Sequence, residues 1–349
     1  MSSIGTLPSS ERTAYGFGAL PSPVRGERRI DLDALRGLAI LLVVVGHAVA
    51  RDIPPGNDWY WVLKNLIYRF HMPLFMVLAG ITFGMSVPVF RTWREVAVYS
   101  RRKSLRLAVP YVAFGLIIIA GKFTVARFLH VDHPPGDWLS EVSKLLFVPA
   151  RSATSFLWFI YVLAVYVLVV PALLKLLGRR PFPLLIAAIA LQAFEWPEFL
   201  MLDRVIAYLP FYCFGVWACL RKDLWSPVPA RVMWPSLLLF AALLATALWL
   251  EPPDWVVGAA SVPALLALMQ RIGDGSAQRW ARLGVNSMPI YLMNTIAIGV
   301  TKGLMFKVQP WDGPAFFVYF PVLIFVGCAV PMFVKRIAER HVPRIAAYL

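Results

Sequence analysis

The chain has 349 residues, 59% of them hydrophobic and 15% charged, with a mean hydropathy of +0.68 and a formal charge of +15. A soluble globular domain is less apolar than this, and repeated long apolar runs identify an all-α polytopic membrane protein. The basic residues sit in short clusters between those runs, so the charge is read as topology signals facing anionic lipid and not as a nucleic-acid surface.

Residues 1–30 hold Gly, Pro, Ser and Arg without an apolar core, and read as a flexible cytoplasmic tail and not as a cleavable signal peptide. The first apolar segment, residues 31–50, reads DLDALRGLAILLVVVGHAVA. It has the length of a span yet carries Arg36 and His47, and ionisable residues inside a span point to function. At roughly 100° per residue, their eleven-residue spacing puts the two within about 20° on one helix face, about 16 Å apart along the axis. Such a face offers a phosphate-binding cation at one membrane surface and a proton-accepting imidazole at depth. Asp33 stands three residues before Arg36, in reach of an ion pair. The plainer reading makes Arg36 a topology anchor and His47 an interhelical hydrogen-bonding group.

Further spans are expected at 59–86, up to 126 after a basic connection at 91–106, and then at 156–177, 181–194, 205–220, 232–250, 255–269, 283–305 and 314–334. The membrane unit is thus 31–334, followed by a basic cytoplasmic tail at 335–349. Ten spans put both termini on one side, and Lys and Arg are concentrated there, which makes that side cytoplasmic. Pro73, Pro110, Pro171, Pro210, Pro289 and Pro321 lie within or beside spans and predict kinks. Cys213, Cys219 and Cys328 lie in apolar runs and have neither disulfide nor metal-ligand spacing. In the loop 127–155, His130, Asp132 and His133 suggest a metal only in outline; without convincing further ligands, a solvated loop is the better reading. Glu195, Glu198 and Asp203 read as a solvated acidic patch.

With these residues in place the sequence resembles a family. Arg36 and His47 match the Arg-x10-His signature of the integral-membrane acyltransferases that O-acylate bacterial surface carbohydrates, the acyltransferase-three family, and DALRGLAILLVVVGHA resembles that family's first span. FHMPLFMVLAG at 70–80 resembles its second-span phrase, and RRKSLRLAVPY at 101–111 its basic lead into the third, with Lys103 and Arg106 preceding Pro110. FLWFIYVLAVY at 156–166 and NSMPIYLMN at 286–294 resemble later phrases. Asn294 stands where the family frequently has His, and Lys103 where Arg is common.

The resemblance implies transfer of an acyl group, acetyl foremost, from cytoplasmic acyl-CoA to a hydroxyl of a cell-surface or lipid-linked glycan, in the bacterial inner membrane and without a metal. It implies His47 as general base or transient acyl acceptor, and Arg36, Lys103, Arg106 and Arg102 as the groups that hold acyl-CoA. His71, Trp158, Tyr161 and Asn294 are expected at the acceptor site or its cavity. Arg101 and Arg102 equally suit topology alone, and Trp158 and Tyr161 interfacial anchoring. The expected partners are membrane lipids, the glycan acceptor and components of polysaccharide assembly. Two other classes stay open on the residues alone: a transporter, and a non-catalytic subunit of a polysaccharide export assembly.

Overall fold

The computed structural model describes residues 29–49, 53–126, 128, 135–220, 228–346 and 348–349, and among these residues there is no β-strand. The helices, in chain order, are α1 (Ile30–His47), α2 (Asp58–Tyr68), α3 (His71–Ser86), α4 (Trp93–Val125), α5 (Trp138–Phe147), α6 (Trp158–Leu176) and α7 (Pro181–Ala190). They continue as α8 (Leu202–Leu220), α9 (Ala230–Thr246), α10 (Asp254–Met269), α11 (Asp274–Val285), α12 (Ser287–Met305), α13 (Phe316–His341) and α14 (Pro343–Ala346).

Five stretches are long and apolar enough to cross a membrane: Asp58–Ser86, Trp93–Val125, Ser155–Leu176, Phe199–Cys219 and Gly313–His341. The bent pair α11–α12 makes a sixth if it is one span. The chain is therefore a multi-pass, all-helical membrane protein. α7, α9 and α10 are apolar but shorter, and α1 has three charges, Asp31, Asp33 and Arg36, in its 18 residues.

Two expected spans are broken, each four residues before a proline. Pro73 cannot donate to the Arg69 carbonyl and Pro289 cannot donate to the Val285 carbonyl, and the helix stops at or just before those residues. At the first break His71 Nδ1 donates to the Ile67 carbonyl, 2.8 Å away. At the second the Asn286 amide donates to the Arg282 carbonyl at 2.7 Å, and the axis turns by 69° between α11 and α12. Pro110, Pro171, Pro210 and Pro321 stay inside continuous helices.

The basic connection at 91–106 is not a loop. Thr92 caps α4 by accepting from the Glu95 N–H at 3.2 Å, while the Glu95 carboxylate accepts from the Arg91 N–H at 2.8 Å. The helix then runs for 33 residues and carries the basic cluster on a rigid rod. The loop after it holds α5, capped by Asp137 on the Ser140 N–H at 2.9 Å. The terminal stretch 335–349 is largely helical in its described residues.

α1 lies at the centre, packed on α11, α12, α10, α3, α13 and α2. Its crossing with α11 is backbone to backbone. A β-carbon at Gly37 would stand 1.9 Å from the Trp280 carbonyl oxygen, and one at Gly284 1.8 Å from that of Asp33. Small residues are what let membrane helices approach this closely.

Candidate active site

Arg36 leaves α1 at the level of the α11 crossing, between Asp33 and Gly37. One arm of its guanidinium donates to Asp33 Oδ1 at 3.0 Å, and the other donates to Thr82 Oγ1 on α3. It lines a cavity of about 840 Å³ that also takes Lys103 and Arg106 from α4. Three of the four expected cations thus converge. The fourth, Arg102, is exposed and lies outside the lining. Beyond the cations the walls turn apolar and aromatic, with Phe75, Phe159 and Ile160, and the cavity reaches Tyr291 on α12. Lys335 and Tyr348 from the C-terminal stretch line it as well.

His47 ends α1 and lines a second cavity of about 350 Å³. Its Nδ1 lies 2.9 Å from Asn294 Oδ1. The Asn294 amide nitrogen donates to the Ile290 carbonyl at 2.8 Å and the Tyr291 carbonyl at 2.9 Å. That fixes the amide with its oxygen towards His47, so Nδ1 carries the proton and donates. In the neutral ring Nε2 then keeps its lone pair, the form that accepts a proton from a hydroxyl. Phe156 stands edge-on to the imidazole at 6.1 Å between centroids.

A partition separates the two cavities. Tyr291 donates its hydroxyl hydrogen to the Phe156 carbonyl, and the same oxygen accepts from the Phe159 N–H at 3.3 Å. Tyr291 faces the Arg36 cavity and Phe156 the His47 cavity. The segment carrying Phe156 is pinned in turn by Glu141, whose carboxylate accepts from Lys144 Nζ at 2.8 Å and the Ala153 N–H at 2.7 Å. One helix thus presents a cation to one chamber and an imidazole to the next.

Residues 29–336 match a family described as an acyltransferase domain. The chain belongs to the acyltransferase-three family. The nodulation protein NolL of Sinorhizobium fredii is 30% identical over 212 residues, 57% of this chain and 53% of that protein, so the match spans about half of the relative's length. The inner membrane protein YcfT of Escherichia coli is 21% identical over 354 residues, 90% of this chain and 94% of its own. A phosphate acetyltransferase of Rhizobium meliloti is 33% identical over 107 residues, 30% of this chain and 32% of that one. No solved structure matches.

Of the residues expected at the acceptor site or its cavity, Asn294 is the one that touches His47. His71 is buried at the α2–α3 break with its ring 5.0 Å from that of Tyr68, and lines neither cavity. Trp158 packs on Tyr208 at 4.9 Å with the Arg204 guanidinium 5.0 Å from its ring, and Tyr161 packs on Tyr111 at 5.5 Å; both lie outside the two linings. His130, Asp132 and His133 lie outside the described residues, and among the described residues no group of three His, Cys, Asp or Glu is placed to hold a metal ion. Sequence reasoning passed over Thr82, Phe156, Tyr291, Lys122 and Lys302. The two lysines carried a signal, since each is an ionisable residue in an apolar run, the same criterion that singled out Arg36.

Proposed function

We propose that this acyltransferase moves an acyl group, acetyl foremost, from cytoplasmic acyl-CoA to a hydroxyl of a cell-surface or lipid-linked glycan in the bacterial inner membrane. The observation that carries the reading is the His47–Asn294 pair, which holds the imidazole in one tautomer and leaves Nε2 free at a cavity. Arg36, Lys103 and Arg106 form a cationic chamber of about 840 Å³ for the phosphates of the donor. The pantetheine arm then lies along the apolar wall, and the thioester meets the acceptor at the Tyr291–Phe156 partition. Nε2 takes the hydroxyl proton as the oxygen forms the new ester bond and the C–S bond breaks; the proton passes to the leaving thiolate. A route through an acyl group held on Nε2 uses the same atom. Acetyl is favoured because one relative is an acetyltransferase by name. Ten crossings with cytoplasmic termini accompany this reading, supported by a helix in each of ten apolar segments and by the bias of Lys and Arg. That sidedness faces Arg36 to the cytoplasm, where acyl-CoA is, and His47 to the far half of the membrane.

The test is the mass of surface and lipid-linked glycans from cells with and without this chain. An O-acyl increment that vanishes on deletion and returns with the wild-type chain supports the reading. Identical glycan masses move the transporter and scaffold readings ahead. The donor chamber makes its own prediction. Arg36→Ala lowers acyl-CoA affinity by about 10–100-fold, the worth of a hydrogen-bonded charge, with a milder loss of turnover at saturation. Calorimetric titration of acyl-CoA into protein in nanodiscs measures it, and unchanged affinity in a folded variant removes Arg36 from the donor site.

A further inference from the structure

The chamber around Arg36 draws cations from more than one wall. α4 packs on α6, and α13 packs on α12 and α1, so the two helices reach the chamber from different neighbours. α1 and α4 bring Arg36, Lys103 and Arg106; α13 brings Lys335. Lys335 belongs to the basic run at the end of α13, with Arg336, Arg340 and His341. Arg336 and Arg340 are exposed and lie outside the lining, as topology signals do. Lys335 is turned inward, its side chain only 17% exposed.

Its ion pair is a loose one. The Glu339 carboxylate lies 3.9 Å from Lys335 Nζ, at the outer limit of such a contact, and the Glu339 side chain is 55% exposed. The order along the helix is the weaker one as well, since a pair four residues apart is better with Glu before Lys. A pair of this kind contributes little and yields to a stronger anion. Tyr348 lines the same chamber and is 42% exposed. One stretch of chain therefore offers a point charge and an aromatic face together, the two features that hold a phosphorylated purine nucleoside.

We infer that Lys335 and Tyr348 form a subsite for the 3′-phosphoadenosine end of the donor, with Lys335 on the 3′-phosphate and Tyr348 stacked on the adenine. CoA carries phosphate in two places. Its diphosphate leads into the pantetheine arm, which has to run to the Tyr291 end of the chamber, so it belongs with the cations of α1 and α4. Its 3′-phosphate stands on the ribose beside the adenine and bears close to two negative charges at neutral pH. That pairing of phosphate and base matches the wall where a cation and an aromatic ring come together. A chamber of about 840 Å³ is at the large end for ligand sites and has room for the nucleotide as well as the arm. The subsite selects free CoA over a donor held on phosphopantetheine alone, which has neither adenine nor 3′-phosphate. The inference rests on the acyl-CoA reading of the chamber and deepens it.

The experiment titrates CoA, 3′-dephospho-CoA and 4′-phosphopantetheine into the full chain in nanodiscs by calorimetry. The wild-type chain should bind CoA about 10–100-fold tighter than 3′-dephospho-CoA, the worth of a hydrogen-bonded charge. Lys335→Gln should remove that ratio by lowering the affinity for CoA alone; an unchanged affinity for 3′-dephospho-CoA also reports an intact chamber. Glu339→Gln, which releases Lys335, should raise the affinity for CoA by about 2–5-fold and leave 3′-dephospho-CoA as it was, an effect that loss of a structural contact would not give. Tyr348→Leu should weaken both nucleotides by about fivefold or more and leave 4′-phosphopantetheine unchanged. Equal affinity of the wild-type chain for CoA and 3′-dephospho-CoA overturns the inference and leaves the acyl-CoA reading standing, as does a Lys335→Gln chain that keeps the ratio. The wild-type ratio and the Glu339→Gln gain need no loss of function, so the test survives a Lys335→Gln chain that fails to fold. A wild-type chain that binds no CoA refutes the donor reading itself.

Discussion

His47→Ala lowers acyl transfer at saturating donor by on the order of 10²–10⁴-fold, the usual contribution of a positioned general base. Acyl-CoA affinity stays within about twofold, because the cations proposed to hold its phosphates lie in the other chamber, with the Tyr291–Phe156 partition between. Asn294→Leu is the informative companion. It removes the oxygen that accepts from Nδ1, so the ring loses its fixed tautomer and Nε2 spends part of its time protonated. The loss should be smaller, about 10–100-fold, and again confined to turnover. Release of free thiol from acyl-CoA, followed beside a separate binding measurement, distinguishes these effects. Near-normal turnover in His47→Ala removes the catalytic assignment. Equal losses of binding and turnover would mean that the helix end, and not the imidazole, was disturbed.

Much of this arrangement was legible in the residues themselves. Arg36 and His47 stand out because a charge and an imidazole interrupt an otherwise apolar run, and helix geometry alone puts them on one face. The breaks before Pro73 and Pro289 follow from the lost N–H, though not which prolines would break a helix: Pro110 and Pro171 sit inside continuous ones. At both breaks a side chain, His71 or Asn286, donates to a carbonyl of the preceding turn, but such a donor does not by itself mark a break, since Gln192 donates to the Ile206 carbonyl that Pro210 frees inside continuous α8. The rigidity of the basic segment at 91–106 was written in Thr92 and Glu95, a capping box overlooked beside the charge run. The partition was not legible. It joins Tyr291 on α12 to Phe156 just before α6, and no local pattern announces contact between residues so far apart in sequence. Trp158 and Tyr161 show the same limit from the other side, since aromatic residues near a span end suit a cavity wall, a membrane anchor or packing against a neighbour equally well.

Gly37→Ala should be among the most destabilising single-methyl changes in the chain. The added carbon would lie 1.9 Å from the Trp280 carbonyl oxygen, where a carbon–oxygen contact needs roughly 3.3 Å. The obstacle is backbone on a facing helix, so no side chain can swing aside, and α1 and α11 must separate. Overpacking of a core costs about 1–3 kcal/mol where side chains can yield, and the cost here belongs at or above the top of that range. Gly284→Ala meets the Asp33 carbonyl oxygen across the same crossing and should cost as much. Because both act on one separation, the double variant should lose less than the sum of the two. Gly121→Ala is the control of opposite sign. It is also a helical glycine, but with open space at the β-carbon, and alanine there should be neutral or gain about 0.5–1 kcal/mol. Thermal unfolding midpoints in nanodiscs rank the three, and a Gly37→Ala midpoint equal to wild type would show that the helices do not approach as described. The crossing also bears on chemistry. Asp33, whose carbonyl Gly284 abuts, holds Arg36 through its carboxylate, so a separation that the protein survives should still weaken acyl-CoA binding while leaving the His47–Asn294 pair intact at the far end of α1.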